Sequence, residues 1–219
     1  MFPAGVSWLD VFSTNITMIL PVVQYGDPVL RQKGSEIREV TAAIRRLAQD
    51  MLETMTSAKG VGLAAQQVGE AVQMTVLDVR ESDRPSQLFL GVREVAIEEM
   101  MPLVLLNPRI RKHEGEDVGQ EGCLSFPKLY LDVRRAQTIH VSAMDLQGRP
   151  LQFTATGLLS RAIQHELDHL NGILFIDRVD PKALDPVRDQ LKSMITAGAG
   201  IHLRIAGRRG RPRPGSRRR

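Results

Sequence analysis

A chain of 219 residues, 42% hydrophobic and 25% charged, has the size and composition of one soluble globular domain with tails. No apolar run reaches the length that crosses a bilayer as a helix, so no membrane partner is expected. The single cysteine, Cys123, excludes an intrachain disulfide, suits a reducing, cytoplasmic location and leaves one thiol for other chemistry.

The formal charge of +4 averages two unlike parts. Between Arg204 and Arg219 the chain carries eight arginines and no acid, which leaves the remainder at about −4. At the other end, no Lys or Arg precedes Arg31. The opening "MFPAGVSWLDVFSTNIT" therefore has neither the basic start of a signal peptide nor the scattered arginines of a transit peptide. It reads as a leader, or as an extension upstream of a natural start at Met18. We expect a disordered leader at 1–17, one folded domain at 18–197 and a basic disordered tail at 198–219.

Within the domain the pattern is α+β. From Thr41 to Lys59, apolar residues including Ile44, Leu47, Met51 and Met55 recur at helical spacing, and Gly60 can end the helix. "VQMTVLDV" at 72–79 and "MPLVLLNP" at 101–108 read as buried strands, with 81–99 a long excursion between them. Ile139, Val141 and Ala143 alternate with polar neighbours, Gln147-Gly148 turns the chain, and Leu151, Phe153 and Ala155 alternate again, predicting a hairpin. A second helix is predicted from an N-cap at Thr156 to about Leu170, stopped by Asn171-Gly172. After Asp180-Pro181 a last helix reaches about Ile195, with an interruption at Pro186.

The chemistry concentrates in "QHELDHLNG", residues 164–172. Two histidines four apart, with a glutamate after the first, place His165, Glu166 and His169 on one helix face, an arrangement suited to a metal and a base. A solvated polar face is the competing reading. A thermolysin-like enzyme would take a glutamate downstream as third ligand, but no Glu follows Glu166, and a metzincin would need a histidine at 175, which is Phe175. His113, His140 and His202 fall in a loop, a strand and near the tail, and read as surface residues. The remaining candidate is Cys123 in "EGCLSFP", whose thiolate would complete a three-ligand site with an open position; a buried small hydrophobe is the alternative. "GVGLAAQQVG", residues 60–69, has the glycines of a phosphate loop but neither the Lys-Ser/Thr nor the preceding strand.

"GxGLAAxQ", "EGCLS" and "QHExDHLxG", in this order and at these separations, resemble the three signature motifs of peptide deformylases, as does "GDPVLR" at 26–31. The resemblance spans about residues 18–195 and departs at no motif position. It implies an α+β fold of mixed or antiparallel strands packed around a central helix carrying the two histidines, followed by a C-terminal helix. It further implies removal of the N-formyl group from the N-terminal methionine of nascent polypeptides, releasing formate. Carried over by position, the metal ligands fall on Cys123, His165 and His169, the general base on Glu166, and the oxyanion donors on the Gln67 amide and the Leu124 N–H. One divalent ion per chain is implied, natively Fe(II), with zinc, nickel or cobalt able to replace it. Gly60 and Gly62 would keep the site narrow enough for a formyl carbon, and Val61, Leu158 and Ala162 would line an apolar pocket for the methionine side chain. Two other functions are weighed: an endopeptidase or aminopeptidase, and a nucleic-acid-binding protein working through the arginines. In the deformylase reading those arginines, 204–219, would tether the enzyme to ribosomal RNA.

Overall fold

The computed structural model describes residues 17–196, so the arginine-rich tail and all but the last residue of the expected leader lie outside the described residues. The first long element, α1 (Ala42–Ser57), begins where the Thr41 hydroxyl accepts the Ile44 N–H at 3.3 Å, and it buries Ala48, Met51 and Met55 on one face. It ends at Ser57 with Ala58 as its C-cap; Lys59 redirects the chain with a left-handed φ of 55°, and the Gly60 N–H closes the helix end on the Met55 carbonyl at 2.9 Å. β1 (Gly62–Ala64) and a 3-10 turn at Ala65–Val68 follow directly.

The remaining elements are β2 (Met74–Leu77), β3 (Ser86–Leu90), β4 (Arg93–Val95), the short helix α2 (Ile97–Met100), β5 (Leu103–Glu114), β6 (Asp117–Cys123), β7 (Phe126–Arg135), β8 (Thr138–Met144), β9 (Pro150–Thr156) and α3 (Gly157–Leu170). Seven strands form one antiparallel sheet in the order β1-β2-β5-β8-β9-β3-β4, and β6 and β7 form a separate hairpin.

β2 and the first half of β5 are covered on both faces, which explains their uninterrupted apolar runs. Leu77, Leu103 and Leu105 pack with Leu159, Ile163 and Leu167 of α3. Met74, Val76, Val104 and Leu106 pack with Ala48, Met51 and Met55 of α1. Each such fully buried side chain contributes roughly 1.5–3 kcal/mol of hydrophobic stabilisation. The predicted hairpin of β8 and β9 forms, with Ile139 opposite Ala155 and Val141 opposite Phe153, all four on the α3 side. Past α3, residues 181–187 form a 3-10 helix containing Pro186, and 188–196 are α-helical, so the expected interruption sits at the change of helix type.

Three expectations are corrected. Residues 81–99 are no excursion: β3 pairs with β9 and β4 with β3, extending the sheet beyond the β8–β9 hairpin. His113 lies inside β5, not in a loop, because β5 continues past Pro108 to Glu114. Thr156 stands at the N-cap of α3 but makes no capping bond; its hydroxyl lies 3.4 Å from the Gln87 side chain across the sheet.

α3 is enclosed between the sheet and the β6–β7 hairpin, so every residue from Leu158 to Leu170 is buried, polar ones included. Those polar groups are satisfied mainly by the hairpin. Arg161 donates to Asp117 Oδ2 at 2.7 Å, to the Val133 carbonyl at 2.8 Å and to Glu121 Oε1 at 2.8 Å. Arg135 donates to both oxygens of Glu121, at 2.9 and 3.0 Å, and to Asp168 on the helix. Burial alone would raise the Glu121 pKa; bonds from His165 and Arg135 outweigh it and hold the carboxyl at about 2. A carboxyl depressed in the native state contributes stability above its ordinary value of 4.5, and that contribution is lost as pH falls towards 2. Glu121→Gln should therefore cost the metal-free protein about 3 kcal/mol at neutral pH, since breaking a buried pair strands its partners. In denaturant titrations the gap from wild type should close as pH falls through that window.

Candidate metal centre

Two elements bring the candidate donors together. α3 presents His165 and His169 one turn apart, with Glu166 beside His165 and packed against Gly62 of β1. The hairpin supplies Cys123 at its tip, where the register shifts after Gly122 and Cys123 pairs with Phe126 across a turn at Leu124-Ser125. The Cys123 Sγ lies 3.2 Å from His169 Nε2, and one donor atom from each of Cys123, His165 and His169 falls within 4.8 Å of the others. His165 contacts Glu121 Oε2 through Nδ1 at 2.9 Å, which fixes the ring and leaves Nε2 for the cluster. The two rings pack edge to face, with centroids 5.0 Å apart.

The electrostatics are those of a water-poor, charged site. Burial pushes His165 towards its neutral form, but hydrogen bonds to Cys123 and Glu121 prevail and raise its pKa well above the ordinary value. Burial and the neighbouring His165 charge hold His169 well below it. Glu166, 4% exposed, has its pKa raised by desolvation to about 7. Its Oε2 and the His169 Nδ1 have no hydrogen-bond partner among the described residues. One thiol and two imidazoles at this spacing fit a borderline divalent cation, whose bonds to such donors run about 2.0–2.3 Å.

Gln67 closes the site from the side of β1. The Ala64 N–H donates to Gln67 Oε1 at 2.9 Å, so the amide nitrogen faces the other way, 3.4 Å from Cys123 Sγ and 3.4 Å from Ser125 Oγ. Gly62 is packed against Glu166: a Cβ there would sit 2.5 Å from Glu166 Oε1. A Cβ on Gly122 would likewise lie 2.6 Å from the Tyr130 ring. At Gly62 the neighbour is a buried carboxylate with little room to give, so only glycine permits that approach.

These residues floor a cleft of about 490 Å³. Gly60, Val61, Gly62, Leu158 and Ala162 all line it, as do Gln67, Cys123, Leu124, His165 and Glu166. Of the candidate ligands, base, oxyanion donors and pocket residues read from the sequence, all but His169 line the cleft, and His169, 1% exposed, lies against Cys123. A larger hollow of about 780 Å³ lies against other α3 residues, Gln164, Leu167 and Asp168, and holds none of the three donors. Sequence reasoning gave no role to Glu121, Arg135 or Arg161, although Glu121 stands two residues before Cys123.

The polypeptide deformylase family model matches residues 19–184. A peptide deformylase from Methylacidiphilum infernorum is 47% identical over 177 residues, covering 81% of this chain and 93% of that protein. The structure of peptide deformylase from Thermus thermophilus superposes with a TM-score of 0.69 at 38% identity, covering 82% of this chain and 99% of that one. That of a peptide deformylase from Synechococcus elongatus in complex with actinonin gives 0.65 at 39% identity, covering 84% and 93%. A mixed α+β fold with an antiparallel sheet and a C-terminal helix is common to them. The chain belongs to the polypeptide deformylase family.

Proposed function

We propose that this chain is a metal-dependent hydrolase that removes the N-formyl group from the N-terminal methionine of nascent polypeptides and releases formate. The observation that carries the reading is the convergence of the Cys123, His165 and His169 donors within 4.8 Å, with Glu166 and the Gln67 amide at the same cleft floor. Cys123, His165 and His169 would hold the ion, natively Fe(II), with zinc, nickel or cobalt as substitutes. When bound, the ion supplies Lewis acidity that polarises the formyl carbonyl and makes water more acidic.

The chain's own groups do the rest. Glu166, its pKa raised by burial to about 7, takes a proton from the attacking water and later returns it to the departing amine nitrogen as the C–N bond breaks. The Gln67 amide, aimed by the Ala64 N–H, donates to the oxygen that gains charge in the transition state, and the Leu124 N–H is the second donor. Gly62 has no room for a side chain, in keeping with a formyl carbon that bears only hydrogen. β1 is an edge strand of the sheet, so its outer backbone groups can pair with an extended peptide. Val61, Leu158 and Ala162 form the apolar wall for the methionine side chain.

Turnover of a formyl-Met peptide but not of the same peptide with a free amine, abolished by EDTA, tests the reading against a peptidase and a nucleic-acid-binding protein. Cys123→Ala should lose tightly held metal in elemental analysis, because two imidazoles alone retain a divalent ion poorly. Glu166→Ala should keep its metal while activity falls about 10²–10⁴-fold. Gln67→Ala should also keep the metal and lose about 2.7–4 kcal/mol of transition-state stabilisation, seen in kcat. A change confined to KM would assign Gln67 to substrate binding instead.

A further inference from the structure

The mouth of the cleft differs from its floor. Three cations line it: Lys59 after α1, Arg84 before β3, and Lys128 in β7. All three are exposed, and none has an ion-pair partner among the described residues. Among the described residues the only acids lining the cleft are Glu121 and Glu166, both buried at its floor, and Glu121 is already bound by Arg135 and Arg161. A substrate segment leaving the floor therefore meets uncompensated positive charge from three separate parts of the chain.

The backbone adds a second observation. Among the described residues only three other than glycine hold a positive φ, and two of them are Lys59, at 55°, and Lys128, at 60°. Such conformations are unfavourable for side chains of this kind and persist where surrounding structure imposes them. Here they fix the backbone at two lysines that line the cleft from different elements, one just before β1 and one on the hairpin, with Arg84 coming from the segment before β3. The segment 81–85 thereby contributes to the cleft as well as leading into the sheet.

Resting on the deformylase reading, we infer that this rim is a subsite for carboxylate side chains in the residues that follow the substrate's methionine. A formylated N-terminus carries no positive charge for these cations to repel. An extended peptide advances about 3.3 Å per residue and alternates its side chains, so neighbouring residues can address different rims. Nascent chains with Asp or Glu at positions two to four are thus captured preferentially. The contacts are solvent-exposed, so each is weak and screened by salt.

The test compares kcat/KM for formyl-Met-Ala-Asp-Glu, formyl-Met-Ala-Ser-Ser and formyl-Met-Ala-Lys-Lys on the metal-loaded full chain. We expect an acidic-to-basic ratio of about tenfold at low salt, carried by KM and shrinking towards one in about 0.5 M KCl. In an Arg84→Glu/Lys128→Glu double variant the ratio, taken within that variant, should fall to one or invert. Equal rates for all three peptides in the wild type would overturn the subsite while leaving the deformylase reading intact, as would a preference that the double variant retains. Failure to process any of the three would overturn both.

Discussion

The carboxylate of Glu121 is shared by Arg135, Arg161 and His165, and through it the hairpin and the helix are registered against each other. The β6–β7 hairpin has no ladder to the main sheet, so its placement rests on packing and on these buried polar bonds. The same carboxylate orients the His165 ring, which couples the position of a candidate ligand to the docking of the strand that carries Cys123. Charge is compensated locally: two guanidinium groups balance Glu121 and Asp168 in a region almost closed to water. Burial on this scale costs several kcal/mol per ion unless the partners are in place. The network is therefore a requirement of geometry more than a source of net stability.

Much of the fold was legible because burial left a periodic trace. α1 shows a helical stripe, β2 and β5 show continuous apolar runs because helices cover both their faces, and β8 and β9 alternate cleanly. The hairpin of β6 and β7 left little trace, since Val118 and Tyr130 are exposed and much of it faces solvent or polar side chains of α3. β3 and β4 were missed for a related reason: they are short, and among the residues of these two strands only Leu88 and Val95 are buried.

The candidate site divides the same way. The histidine pair announces itself through spacing, and Cys123 through being the only thiol. Gln67 was reached only through family resemblance, because a glutamine has no spacing signature and its role depends on an amide turned by the Ala64 N–H. Glu121 had no signal of its own: a carboxylate saturated by two arginines looks in sequence like any surface glutamate. The rim cations were hidden too, being scattered between residues 59 and 128 and united only by the fold.

The tip of the hairpin also bears on how the molecule holds together. Cys123 and His169 are 46 residues apart, and Gln67 is 56 from Cys123, so the cleft floor joins three distant stretches of chain. In a protein with a single cysteine, a cation gripped by Cys123, His165 and His169 would be a removable cross-link, closing a long loop as a disulfide does. Binding to the native state alone adds stability that grows with the logarithm of free metal. Chelation would then withdraw that cross-link and leave the hairpin held by the bonds of Arg135 and Arg161 and by the packing of Phe126 edge to face on Phe175.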